Sequence, residues 1–232
     1  MPDRLSTLLA NVEDDLRAAW RTEGSPVPFD EWKTERRARE RADEEARVQA
    51  EIRAERRSRL LERLDAQIPP RYRSARVTDP RIASWCDTAH EGRGESLLIL
   101  GPVGVGKSYE AFGAMRHLVG RHIRNAVVVV AADLYAALRP RAGVDTEAEF
   151  ERYAHAQLLL VDDIGAAKSS EWTEEINYRL VNFRYNHELP TVFTSNTPPR
   201  ELGTVVGQRV ASRLTEMCTV VVLDGQDRRR AA

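Results

Sequence analysis

One stretch constrains this chain more than any other: Leu97-Leu98-Ile99-Leu100-Gly101-Pro102-Val103-Gly104-Val105-Gly106-Lys107-Ser108. An apolar run breaks into a glycine-rich loop that ends in Lys-Ser, with the spacing G-x-x-x-x-G-K-S of a phosphate-binding loop. Gly101, Gly104 and Gly106 free the backbone to wrap until successive N–H groups point at one anion. Lys107 brings a mobile positive charge toward β- and γ-phosphates, and Ser108 a hydroxyl toward Mg²⁺. Phe112, Met115, Leu118, Val119 and Ile123 recur at helical spacing, predicting a helix over 109–123 whose N-terminus adds its dipole. The alternative is a chance glycine turn with a surface lysine, and the strand-before, helix-after context argues against it. The motif alone leaves an ATPase, a GTPase and a small-molecule kinase open.

A second stretch answers the first. Leu158-Leu159-Leu160-Val161-Asp162-Asp163-Ile164-Gly165 reads as a buried strand ending in paired acids, the Walker B arrangement. Asp162 is placed to hold Mg²⁺. Asp163 is the candidate base that polarises the attacking water. An acidic turn is the bland alternative, and coupling to the upstream loop outweighs it. Leu189 to Asn196 is a further strand; Asn196 at its end fits an amide that orients water beside the γ-phosphate. Ser-Asn-Thr-Pro is also an ordinary turn. Asn125 to Val130 is β-branched, as expected of a strand buried on both faces. Short helices are expected over 133–138 and 147–156, and a longer one over 171–187 with Ile176, Leu180, Val181 and Phe183 inward. Arg209 and Arg213 stand four apart on one face of a helix expected over 207–214. Such a pair is either a salt-bridging surface or, in an oligomeric ATPase, an arginine finger. Thr219 to Leu223 is the last strand expected.

Upstream, the chain changes character. Leu5, Leu8, Leu9, Val12, Leu16 and Trp20 form an amphipathic helix, and Gly24-Ser25-Pro26-Val27-Pro28 breaks it. From about residue 31 to 65, Arg, Glu and Ala dominate, with opposite charges three or four residues apart. This stretch explains why 31% of the 232 residues are charged although the net charge is only −1. Composition favours a solvated spacer; the sharper alternative is a protein-docking arm. The interleaved acids argue against a dedicated nucleic-acid binder. Ile68-Pro69-Pro70-Arg71-Tyr72 ends the helix and marks the expected boundary between an arm (1–67) and an α/β domain (68–232). After it, a helix is expected near 82–89, and Tyr72 or Ile82 could pack on a nucleotide base or simply in the core. Cys86 and Cys218 stand apart, as buried thiols of a reducing cytosol would. No apolar run is long enough to span a bilayer, so a cytoplasmic protein without membrane association is expected.

Taken in order, these elements resemble the DnaC/IstB-like branch of AAA+ ATPases, DnaC-type helicase loaders in particular. The resemblance covers roughly 68–229. It rests on the proline lead-in, the two phosphate motifs, Ser170-Glu171-Trp172-Thr173, Arg184-Tyr185 and Thr194-Ser195-Asn196. Gly207-Gln208-Arg209-Val210-Ala211-Ser212-Arg213-Leu214 and Gly225-Gln226-Asp227-Arg228-Arg229 complete it. It implies a three-layer α/β/α P-loop fold whose five-stranded parallel sheet sets the sensor strand between the Walker A and Walker B strands, preceded by the helical arm. It implies ATP on Gly101-Pro102-Val103-Gly104-Val105-Gly106-Lys107-Ser108-Tyr109, Mg²⁺ through Ser108 and Asp162, and hydrolysis by Lys107, Asp163 and Asn196. Arg213 would be the finger acting on a neighbouring subunit, with Arg209 as its companion. The acidic pair is Asp-Asp where many members have Asp-Glu, which shortens the base. No full helical lid is expected, and Arg228 or Arg229 is the candidate sensor-2 arginine. The implied task is delivery of a replicative helicase, docked through the arm, to single-stranded DNA by a homo-oligomer. The alternatives are a transposition helper on duplex DNA and a nucleotide-binding adaptor with little turnover. A small-molecule kinase would need a substrate lid that the sequence does not show.

Overall fold

The computed structural model describes residues 4–89, 95–120, 123–166, 170–225 and 227, with side chains from residue 12 onward. It divides into two compact units, 1–55 and 56–232.

The first unit is helical: α1 (Arg4–Glu23) and the greater part of α2, which spans Phe29–Asp65. Gly24, at φ 62°, turns the chain between them. A small aromatic cluster closes the hairpin. The Trp20 ring meets Phe29 edge-on at 6.0 Å, and Phe29 stacks on Trp32 at 6.2 Å. Both indoles donate hydrogen bonds, Trp20 to the Val27 carbonyl and Trp32 to Glu23, each at 3.0 Å. The Arg17 guanidinium caps the Phe29 ring at 4.5 Å. Beyond this cluster α2 is bathed in solvent through residue 55, and even Val48 and Ile52 are exposed. Ion pairs such as Arg36–Glu40 and Arg39–Glu35 lie one turn apart along it.

The second unit is built on a five-stranded, wholly parallel sheet in the order β2-β3-β4-β1-β5. Its strands are β1 (Ser96–Leu100), β2 (Ala126–Val130), β3 (Leu158–Asp162), β4 (Thr191–Ser195) and β5 (Cys218–Val222). Strand β4, the one expected to end in the sensor residue, therefore lies between β1 and β3, as the family resemblance implies. Alternate side chains leave each strand for opposite faces. Leu98, Leu100, Leu159, Val161 and Phe193 pack under α5 (Ala131–Leu138), α6 (Thr146–Ala154), α7 (Glu171–Asn186), α8 (Leu202–Val206) and α9 (Gln208–Met217). Leu97, Ile99, Leu158, Leu160 and Val192 meet α3 (Pro80–Thr88), α4 (Lys107–Leu118) and the end of α2, through Leu60, Leu61 and Leu64. Each fully buried leucine contributes about 1.5–3 kcal/mol, which is why these strands read as unbroken apolar runs. This unit takes in the last turns of α2, because those leucines and Ile68 belong to its core.

Two expectations need correction. β2 is an edge strand: Val127 and Val129 are buried, while Ala126, Val128 and Val130 are half-exposed. Its open backbone is covered by the amide of Gln67, which donates to the Ala126 carbonyl at 3.2 Å and accepts from Val128 N–H at 3.1 Å. The helix after the phosphate loop stops at Leu118, because Gly120 turns at φ 81° and Val119 bridges to Ile123. Of the two alternatives left open for Ile82, core packing is the one found: it is fully buried in the core and does not line the cavity at the strand ends.

Arg184 carries the least expected packing. It is fully buried on α7, and its guanidinium donates to Thr191 Oγ1 and to the carbonyls of Tyr153, Ala154, Ala156 and Pro190. Burial pushes its pKa down to about 9. The oxygens gathered around it favour the charged form and offset that cost. One side chain thus ties the ends of α6 and α7 to the starts of β3 and β4. Cys86 and Cys218 are both buried and not joined in a disulfide, and burial pushes the Cys218 thiol up. Among the described residues no helix is long and apolar enough to cross a membrane.

Candidate functional site

Parallel strands deliver their carboxyl ends to one edge, and β1, β4 and β3 are neighbours there. The loop after β1, Asn196 after β4 and the acids ending β3 consequently converge, although they are far apart in sequence. They line a cavity of about 970 Å³ together with Arg71, Tyr72, Thr78 and Tyr109.

The loop needs its glycines for space as well as for rotation. Gly101 lies at φ 148° and a Cβ on it would fall 2.2 Å from the Leu223 carbonyl oxygen. Gly104 lies at φ 90°, and there a Cβ would fall 2.2 Å from an Asp227 carboxylate oxygen. Gly106, at φ 103°, caps α4, so Lys107 and Ser108 open the helix and its free N–H groups face the loop.

Lys107 is buried and its ammonium donates to the carbonyls of Gly101 and Pro102, each at 2.8 Å, and to Asn196 Oδ1 at 2.6 Å. The Asn196 amide nitrogen in turn donates to Asp163 Oδ1 at 2.5 Å. A continuous chain, Lys107–Asn196–Asp163, so joins the loop, the β4 end and the β3 end. Asp163 follows β3 at φ 62°, a left-handed conformation that aspartate tolerates better than most residues. The turn directs its carboxylate to Asn196 while its N–H donates to Thr194 Oγ1 at 2.8 Å.

Asp162 faces the other way. Its Oδ1 accepts from the Ser108 hydroxyl at 3.0 Å and from the Thr194 hydroxyl at 2.6 Å. Burial raises its pKa, hydrogen bonds from Thr194 and Ser108 oppose the rise, and the neighbouring Asp163 charge adds to it. A hydroxyl and a carboxylate oxygen 3.0 Å apart are hard donors of the kind Mg²⁺ takes.

The structure thus gathers Lys107, Ser108, Asp162, Asp163 and Asn196 in one cavity, with Tyr72 in its wall. Arg209 and Arg213 do not line it. They share one face of α9 and lie over the rings of α7, Arg213 at 5.6 Å from Tyr178 and 5.1 Å from Tyr185, Arg209 at 6.0 Å from Tyr178. Arg228 and Arg229 lie outside the described residues. Thr194 carries a role that its place in the sequence motif does not state: its hydroxyl accepts from Asp163 N–H and donates to Asp162, orienting both acids. The available signal was its place in the strand that pairs with β3, where Val161 aligns with Phe193.

A family model described as IstB-like ATP binding protein matches residues 7–232. Among curated relatives, the replicative helicase loader DnaI of Bacillus subtilis is 24% identical over 181 residues, 72% of this chain and 57% of the relative. The ATP-binding protein named for insertion sequence IS5376, from Geobacillus stearothermophilus, is 29% identical over 138 residues, 58% of this chain and 53% of the relative. The chain thus spans about half the length of the curated relatives it matches. The crystal structure of the DnaC helicase loader superimposes with a TM-score of 0.59 at 23% identity, covering 67% of this chain and all of that one. The fold is that of the solved DnaC helicase loader, and the chain belongs to the IstB-like ATP-binding family.

Proposed function

We propose that this protein binds and hydrolyses ATP and uses that cycle to deliver a replicative helicase to single-stranded DNA. The observation that carries the ATPase reading is the pair of linkages at the strand ends, Lys107–Asn196–Asp163 and Ser108–Asp162–Thr194. They bring a phosphate-binding cation, a water-orienting amide, a base and two hard oxygen donors into one cavity. Lys107 and the N-terminus of α4 stabilise negative charge developing on the γ-phosphoryl oxygens. Ser108 and Asp162 would hold Mg²⁺, which supplies further charge neutralisation there. Asp163 accepts a proton from the attacking water, and Asn196 fixes that carboxylate and the water's approach. Because Asp163 is one methylene shorter than a glutamate, the left-handed turn at this residue serves to bring its carboxylate forward.

Loading of a helicase is supported by the names of the relatives, DnaI and DnaC. The helical first unit is the candidate docking element. Arg213 is the finger in this reading, acting on the nucleotide of an adjacent copy. The IS5376 relative and the IstB family description favour a second reading, a transposition helper on duplex DNA.

The deciding experiment supplies the full chain with ATP and scores two products. Retention of the host replicative helicase on single-stranded circles supports the loader. Stimulation of a transposase on duplex DNA, without helicase retention, replaces it with the helper. Turnover per subunit is expected to rise with protein concentration, and Arg213→Ala to lower it on the order of a hundredfold or more. Full turnover by Arg213→Ala would remove the finger from this account.

A further inference from the structure

The helix that opens at the phosphate loop also carries a carboxylate with no part in phosphate chemistry. Glu110 lies in the first turn of α4 and is fully buried. A buried carboxylate needs donors. Glu110 accepts from one short stretch: Thr78 N–H at 2.9 Å, the Thr78 hydroxyl, and Asp79 N–H at 3.3 Å. The same stretch meets α4 at two further points. Tyr72 stacks on Phe112 with ring centres 4.9 Å apart. At Gly113 a Cβ would fall 2.5 Å from the Arg76 carbonyl carbon and 2.7 Å from the Val77 nitrogen, so the backbones meet there directly.

This clamped segment lines the cavity. Arg71, Tyr72 and Thr78 share it with Lys107 and Asp162 but lie apart in sequence from the loop and strand ends that handle phosphate. An aromatic ring, a guanidinium over that ring at 5.5 Å and a hydroxyl are groups suited to a base and ribose. With the phosphates on the loop, the nucleoside half is left to this wall.

We infer that Glu110 is a positioning residue for nucleoside binding, an inference that rests on the ATP reading above. By accepting from Thr78 and Asp79 it holds residues 71–79 in register with α4. The distance between phosphate loop and nucleoside wall is thereby set by a single helix. Glu110 touches no nucleotide itself; it acts through Thr78.

Calorimetric titration of the full chain with ATP and, separately, with inorganic tripolyphosphate tests this. Tripolyphosphate engages the loop alone. Glu110→Ala is expected to weaken ATP about tenfold, the loss of one buried carboxylate acceptor, while tripolyphosphate affinity stays at the wild-type value. Thr78→Val provides a milder break of the same clamp should Glu110→Ala fail to fold. It should shift ATP affinity in the same direction, and Thr78→Ser should restore it. Equal weakening of both ligands, or unchanged ATP affinity in either folded variant, would overturn the inference. A wild-type chain that binds neither ligand would instead overturn the nucleotide reading on which it stands.

Discussion

The two units of this chain are held together by different physics. In the helical unit, one indole is almost fully buried, Trp32, and the rest of the helix relies on backbone hydrogen bonds and exposed ion pairs. Exposed pairs of this kind contribute about 0.3–0.5 kcal/mol each. In the sheet unit every residue of β1, β3 and β4 is buried, and even a guanidinium and two carboxylates are enclosed with partners. The difference teaches where function can be placed. A pair of acids keeps a fixed orientation inside a packed frame, whereas a solvated helix offers reach and a surface.

Substitutions can sharpen or break that contrast. The largest effect is expected at Lys107: Lys107→Ala should weaken ATP binding at least about a hundredfold, since a buried charge-assisted contact to phosphate is lost. Fluorescence of the Trp20–Trp32 cluster should not change. Retained affinity would overturn the phosphate-loop assignment. Next comes Arg184→Leu, which strands four carbonyls and a hydroxyl and should cost the sheet unit about 3 kcal/mol or more in a denaturant titration. Loss of the helical unit's signal at the same denaturant concentration would show that the two are not independent.

Acid separates the units more gently. Asp162 has a raised pKa, so the folded state binds its proton more tightly than the unfolded chain does. Its contribution to stability is present below the ordinary aspartate value and is lost as pH rises through the folded one. Cation binding runs the opposite way, because the proton competes for the same oxygen. Mg²⁺-supported hydrolysis, followed from about pH 8 to about pH 5, should therefore weaken toward acid sooner than an ordinary aspartate would cause. Glu13 in the helical unit is held low by a hydrogen bond from Arg17 and the charge of Lys33. What it contributes is present above the ordinary glutamate value and lost only as pH falls through the lowered one. Helicity of that unit should be level over the same range, and a matching acid transition in both signals would dissolve the contrast. The smallest effect belongs to Ile52→Gln on the exposed face of α2, within about 0.5 kcal/mol by thermal melting. A larger loss would mean that this face is covered.

Much of the candidate site is legible in the sequence, because its motifs are local. G-x-x-x-x-G-K-S states its own backbone requirement, and an apolar strand ending in Asp-Asp states its own direction. Thr194, Glu110 and Arg184 were not readable as to role. A threonine in a strand, a glutamate in a helix and an arginine in a helix each look like ordinary surface choices. Their meaning comes from partners well away along the chain: Thr194 from Asp162, Glu110 from Thr78, Arg184 from Tyr153. β2 misled for a related reason, since a valine run records strand propensity and not the strand's place in the sheet.

The sequence by itself therefore determined the elements, their order and the residues that can meet phosphate, all matters of short-range sterics and periodicity. That β4 lies between β1 and β3 is implied by the family resemblance, but no single strand's residues carry it, and the tertiary structure makes it physical. That order places Asn196 between Lys107 and Asp163. Parallel pairing joins strands through long crossovers, so which ones become neighbours is settled by packing both sheet faces at once.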